Sequence, residues 1–372
     1  MLKQILILLV LFLPLSIAFS NSTSLSPVPF ANELNNPRGF LPFGTDQWII
    51  IEAGTGKKLG GKHPGKISLG HDINRDGLLS AIEKSVLVDH LLSYNIMEFF
   101  NPGGDEVVGP GDGVLFDQRR LIYTRDSGRE STEIVQLDLV DLSEVILFER
   151  PGVVNSIVLS ADQQTLFLAE STLNQIGAYH FESGYEELLL FDVLDHQQQA
   201  VPTGIALDVK GNLLVTLFSG QLWAYYGETI TFMPGDAKLA YVNLADRTFE
   251  YLLEGLTTAI DVVTDADDNV YFLEMTTAWP TNLISREFDL YNRNSPPDPG
   301  GYVRYSGRLS MMRSGSKEVF VLAEGLDLPT NLSIHDGQLF ISSGQGTPGR
   351  NVWTHQGVVP IEGKIFSYSL NR

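Results

Sequence analysis

The chain has 372 residues, no cysteine, 25 Lys+Arg against 45 Asp+Glu, and 43% apolar residues. This composition excludes a disordered or collagen-like chain, disulfides, thiolate metal sites and a cysteine nucleophile. A formal net charge of −20 with no basic cluster argues against nucleic acid or an anionic lipid surface as a partner.

Residues 1–20 carry Lys3, an apolar run from Ile5 to Leu15, and the small-x-small step Ala18-Phe19-Ser20. They read as a cleaved secretory signal, leaving 21–372 as one domain in a secreted or periplasmic setting. The apolar run is shorter than the roughly 20 residues a bilayer requires, and no later stretch is long enough, so no membrane span is expected after cleavage. Asn21-Ser22-Thr23 and Asn331-Leu332-Ser333 match the glycosylation acceptor pattern, a weak three-residue signal.

One unit recurs from there on: a short apolar strand, an Asp/Gly/Asn turn, and a second strand of β-branched and aromatic residues. The six copies begin at Arg38, Asp112, Asn155, Thr203, Ile260 and Thr330. Third strands are expected at 134–137, 176–179, 238–244, 308–312 and 364–370, and fourth strands at 86–89, 145–149, 188–192, 251–254 and 319–323. Four short antiparallel strands per repeat, with period-2 alternation and polar turns, predict an all-β, six-bladed propeller. The longer spacings place insertions near 57–105, 218–236 and 276–306. The last repeat runs out after three strands, so residues 27–32 are expected to supply its outer strand and close the ring. Their prolines suit an edge.

Within the first repeat, Asp72, Asn74, Asp76, Gly77, Leu78, Ser80 and Glu83 fill the diagnostic positions of a twelve-residue calcium loop. Side-chain oxygens at positions 1, 3 and 5, a carbonyl at 7, a water-holding Ser at 9 and a carboxylate at 12 can wrap a hard cation, and Gly at 6 permits the turn. Gly60, Gly61 and Pro64 forbid an entering helix. The loop is therefore expected as a hairpin turn between strands 66–70 and 84–89, holding a structural calcium ion, with an ion-free polar turn as the alternative.

The repeats also phase a set of polar positions at the mouth of the central channel. Arg38, Asp112 and Asn155 open inner strands, and Asp261 and Asn331 come one residue later in theirs. Glu52, Arg125, Glu170 and Glu274 stand at the fifth position of second strands. Such charges are costly to bury alone, so they are expected to face a wet channel, an ion or one another. This makes them candidate ligand-binding residues. In the plain alternative, Arg38 and Arg125 neutralise the glutamates in a solvated tunnel. None of the seven histidines falls at these positions.

The stretches 34–40, 51–56, 233–241, 255–263 and 270–274 resemble the secreted six-bladed propellers associated with scytonemin biosynthesis in cyanobacteria. The calcium-type hairpin ahead of 85–91 is similar to sorbosone-dehydrogenase-like propellers. Asn155 within 155–162, followed by 166–170, resembles the gluconolactonase family, in which an equivalent Asn binds a catalytic divalent metal. The chain departs from that family at Thr203, within Pro202-Thr203-Gly204, where the family has Asp, and near Arg38, where its first-blade Glu is not evident. These resemblances imply a monomeric, secreted, ligand-binding accessory propeller that takes a small or extended ligand. A metal-dependent lactonase or esterase and a quinone-dependent sugar dehydrogenase are the alternatives; the latter needs a His base that the channel positions do not offer.

Overall fold

A computed structural model describes residues 19–21 (backbone only), 24–56, 64–95, 106–128, 130–220, 232–278 and 302–370. The signal-like segment 1–18 and much of the three expected insertions lie outside the described residues. Among the described residues, no helix is long and apolar enough to cross a membrane.

The architecture is a ring of six four-stranded antiparallel blades. Blade one comprises Pro37–Gly44, Gln47–Glu52, Gly65–His71 and Lys84–Leu91, and blade two Gly113–Leu115, Arg120–Asp126, Ser131–Asp138 and Glu144–Pro151. Blade three runs through Val154–Leu159, Thr165–Glu170, Gln175–His180 and Gly184–Leu190. Blade four runs through Pro202–Leu207, Leu213–Leu217, Ala237–Asn243 and Thr248–Leu256. Blade five has Ala259–Thr264, Val270–Glu274, Gly307–Met312 and Val319–Leu326. Blade six takes its inner three strands from the end of the chain, Asn331–His335, Gln338–Ser343 and Gly363–Ser369, and its outer strand from the beginning, Val28–Leu34. That strand pairs antiparallel with Gly363–Ser369, as the missing fourth strand required.

Second strands such as Leu213–Leu217 and Val270–Glu274 are buried at every residue, because both of their faces meet neighbouring blades. Outer strands such as Glu144–Pro151 carry only half-buried and exposed residues. Apolar clusters fill the seams, for example Leu239, Leu256 and Phe272 between blades four and five. Burying the apolar area of the blade faces is the main stabilising contribution.

Two features were not foreseen. Phe19–Asn21 adds a short parallel strand to the outer edge of blade five, opposite Val319, Phe320 and Val321. A two-stranded hairpin, Asn351–Thr354 with Gly357–Pro360, is inserted between the second and third strands of blade six. The inner strands begin, and the second strands end, at one end of the ring. The long second-to-third connections of blades one, four, five and six leave and re-enter the blades at that same end, as does the connection from blade one to blade two.

Candidate functional site

Inner strands from all six blades converge at that end on one cavity of about 110 Å³, lined among others by Arg38, Asp112, Asn155, Thr203, Asp261 and Asn331. The residues that open or follow the opening of the inner strands are thus brought together as their phasing predicted. Arg125 also lines the cavity.

Most of these side chains also join neighbouring blades. Arg38 Nη2 donates to the Val107 carbonyl on the approach to blade two at 2.7 Å. Asp112 of blade two accepts from Ser156 Oγ at 2.6 Å and Ile157 N at 3.0 Å in blade three. Asn155 Nδ2 donates to Ser171 Oγ at 2.8 Å, and Ser171 Oγ donates to the Pro202 carbonyl of blade four at 2.6 Å. Thr203 Oγ1 donates to the Ala259 carbonyl of blade five at 2.9 Å. Asp261 accepts from Leu332 N at 2.6 Å and Asn331 Nδ2 at 3.2 Å in blade six. Thr330 Oγ1 reaches the Pro37 carbonyl of blade one at 3.0 Å. Five of the six seams therefore carry a blade-to-blade polar staple at the mouth, and at the sixth Arg38 ties blade one to the segment that leads into blade two. The inner strands there are not hydrogen-bonded to one another as a sheet, so side chains supply the links that backbone ladders supply within a blade.

Burial raises the Asp112 carboxyl above the usual aspartate range against the pull of its hydrogen-bond donors. Asp261 is raised further, by burial and then by the negative charge of Asp112. The Arg38 guanidinium is lowered by burial, against the opposing attraction of Glu106, whose carboxylate stands 3.8 Å away. Arg125 pairs with Glu133 at 2.8 Å and Glu144 at 3.0 Å within its own blade. The Asn331 Oδ1 oxygen is buried and has no hydrogen-bond partner among the described residues.

Glu52, Glu170 and Glu274 are not among the residues lining the mouth. They are fully buried behind the inner strands, each with a cation of its own. Glu52 meets Lys66 at 3.2 Å and accepts from Asn35 N at 2.7 Å. Glu274 meets Arg308 at 2.5 Å and accepts from Thr257 N at 2.7 Å. Glu170 is held by Arg150, Gln175 and Tyr185, and the Arg150 guanidinium lies over the Tyr185 ring. In place of the expected wet channel, ion or mutual contact, the three carboxylates form three separate buried pairs, and the neutralising cations are Lys66, Arg150 and Arg308 rather than Arg38 and Arg125. The second strands of blades one, three and five are buried to their last residue, so these three glutamates point into the packed interior instead of into the channel, whereas the half-buried Arg125 reaches the cavity. Burial raises the Glu52 and Glu274 carboxyls, opposed by Lys66 and Arg308 respectively.

Sequence reading missed Glu106, Asp126 and the 108–111 segment at the mouth, because they lie outside the phased repeat positions. The sequence signal available was the density of Gly and Pro at 109–111, which marks a close-fitting turn.

At the opposite end, the calcium-type loop is the turn between the third and outer strands of blade one, as predicted. Its side chains bind its own backbone. Asp72 accepts from Asp76 N at 3.2 Å and Gly77 N at 2.9 Å, Asn74 Oδ1 from Asp76 N at 2.9 Å, and Asp76 Oδ1 from Leu78 N at 2.9 Å. Glu83 accepts from Ile73 N at 3.1 Å, and from Ser80 N at 3.0 Å and Ser80 Oγ at 2.6 Å. The Ser80 hydroxyl and these backbone donors hold its carboxyl below the usual range. Among the described residues, no three His, Asp or Glu side chains are grouped to hold a metal ion.

No curated protein matches the chain in sequence. Among solved structures, a gluconolactonase from Xanthomonas campestris superposes with a TM-score of 0.55 at 10% identity, over 92% of this chain and 89% of that one. A Thermus thermophilus protein assigned as a glucose-dehydrogenase oxidoreductase gives 0.53 at 13%, over 93% and 100%. At these identities the likeness is one of fold. The family model for the SMP-30/gluconolactonase/LRE-like region matches residues 46–253, from blade one to blade four, and the chain belongs to that family.

Proposed function

We propose that this chain is a monomeric, extracytoplasmic propeller that binds a small hydroxyl-rich ligand, of the sugar or sugar-lactone class, at its channel mouth. The observation that carries the reading is the convergence of six inner strands on one polar cavity beside an amide oxygen, Asn331 Oδ1, that has no partner among the described residues. Hydroxyl groups both donate and accept, which suits a lining that offers Asn and Asp oxygens together with the Arg38 guanidinium. The cavity is small, so a longer ligand would enter by one end. Membership of a family whose name includes gluconolactonase supports the sugar class. The resemblance of blades one, four and five to secreted scytonemin-associated propellers supports an accessory role outside the cytoplasm. A structural calcium ion in the 72–83 loop completes the proposal: the donor types and spacing fit, and the backbone is already wound around the loop's centre by Asp72 and Asn74.

A metal-dependent lactonase is the second reading, favoured by the family and by Asn155 at the mouth. The donor set fits a divalent ion poorly. Arg38 and Thr203 occupy two of the inner-strand openings, and both Asp112 oxygens are engaged by Gly113 N, Ser156 Oγ and Ile157 N. Calorimetric titration with glucono-1,5-lactone and with gluconate, alongside hydrolysis assays with and without Mg²⁺, Mn²⁺ or Zn²⁺, separates the two. Binding without metal-stimulated turnover, weakened about tenfold or more by Asn331→Ala, is the expected result. Metal-dependent turnover abolished by Asn155→Ala would establish the lactonase. Absence of binding and of turnover would leave the mouth as structural stapling alone.

A further inference from the structure

The strand that closes the ring is held weakly by its own ladder. Val28–Leu34 pairs with Gly363–Ser369 at only four positions, and the register shifts on either side of Ala31. Pro29 has no N–H to give. At this break the strand is gripped from the other side, by the calcium-type loop of blade one. Leu79 N donates to the Phe30 carbonyl at 2.7 Å, and Leu79 forms a parallel bridge with Ala31. Lys84 Nζ, one residue past the loop, donates to the Asn32 carbonyl at 2.8 Å.

The Leu79 side chain is 1% exposed and sits among Phe30, Phe40, Trp48 and Phe340, the apolar cluster that joins blade six to blade one. Its place is cut to fit. A Cβ on Gly70 would lie 2.6 Å from Leu79 Cδ1. In blades two to five the third strand reaches the outer strand by a shorter turn, as from His180 to Gly184 or from Asn243 to Thr248. The long loop occurs in the blade that flanks the borrowed strand.

We propose that the 72–83 loop is the clasp of the ring: Leu79 at its centre pins the N-terminal strand across the seam between blades six and one, and a cation seated in the loop tightens that hold. The second clause rests on the calcium reading above; the first stands on the packing alone. The loop's conformation is set by Asp72, Asn74 and Glu83 on its own backbone, so an ion that stiffens those side chains also stiffens the presentation of Leu79.

Hydrogen–deuterium exchange on the full chain tests this. Leu79→Ala should speed exchange of the 28–34 amides about tenfold or more while the strands of blade four keep their protection. Leu239→Ala, equally buried but in blade four, should not single out 28–34, and Ile82→Ala, 93% exposed in the same loop, should change little. Should Leu79→Ala fail to fold, Lys84→Met removes the bond to Asn32 while leaving Leu79 in place, and should give a smaller rise centred on the same amides. Calcium chloride against a chelator should slow exchange of 28–34 in the wild type and not in Asp76→Ala. A Leu79 effect without a calcium effect would refute the ion and leave the clasp standing. Protection of 28–34 unchanged in both Leu79→Ala and Lys84→Met, or lost uniformly over all blades, would overturn the clasp.

Discussion

At the end of the second strand of blade five, the Glu274 side chain is 1% exposed, and its charge is tolerable only because Arg308 and Thr257 N meet it. Removing the cation strands a buried carboxylate. Arg308→Met should therefore cost about 3 kcal/mol in urea unfolding, and Glu274→Gln in the same chain should recover most of that loss. Asp261 makes a different prediction, about pH. Its carboxyl is raised well above the ordinary value near 3.8 by burial and by Asp112, so between the unfolded and folded values the native state holds the extra proton. The resulting stability is present in full below the unfolded pKa and is lost as pH rises through the folded one. Melting curves of wild type and Asp261→Asn from acid to neutral pH should show a difference most favourable to the wild type in acid, shrinking as pH rises. A constant difference would mean that folding does not shift the Asp261 carboxyl from its unfolded value.

At the scale of elements, the 72–83 loop joins two demands in one segment. Its carboxylates organise the backbone, and its centre packs into a neighbouring blade. If the loop takes calcium, binding to the folded state alone must raise the melting temperature by mass action. Calcium at a hundredfold excess over its dissociation constant should add about 2.7 kcal/mol, read as a rise in melting midpoint that chelator reverses. Asp76→Ala should melt at the same temperature in both conditions. Equal midpoints for the wild type with calcium and with chelator would remove the ion from the loop. The staples at the mouth show the same economy of position: Asp112 and Asp261 line the cavity and also tie two blades together, so a variant at either site should change stability together with binding.

For the whole molecule, closure is the vulnerable step. A propeller shelters the inner edges of its blades at the channel, but a blade lacking its outer strand presents an unpaired ladder to solvent. Deleting 21–33 should uncover the edge of Gly363–Ser369 and expose the Phe40, Trp48 and Phe340 surface that Phe30 covers. Light scattering should then show association that grows with concentration, accompanied by a lowered melting temperature. A truncated chain that stays monomeric and melts like the full one would mean that the first and sixth blades meet without the borrowed strand.

The architecture was legible from the residues because its determinants are local. Period-2 alternation, Asp-Gly turns and their six-fold recurrence placed nearly every blade strand within a few residues, including the N-terminal strand that closes blade six. The convergence of Arg38, Asp112, Asn155, Asp261 and Asn331 was readable as well, since equivalent repeat positions must fall on one ring. The roles of these side chains were not. Whether Glu52, Glu170 and Glu274 face a channel or the space between blades depends on which face of a doubly buried strand each occupies, and their cations come from strands some 14 to 34 residues away in sequence. The grip of Leu79 on Phe30 joins residues that no repeat relates. Such pairings are set by how one blade packs on the next, a long-range consequence of ring closure that periodicity along a single strand does not encode.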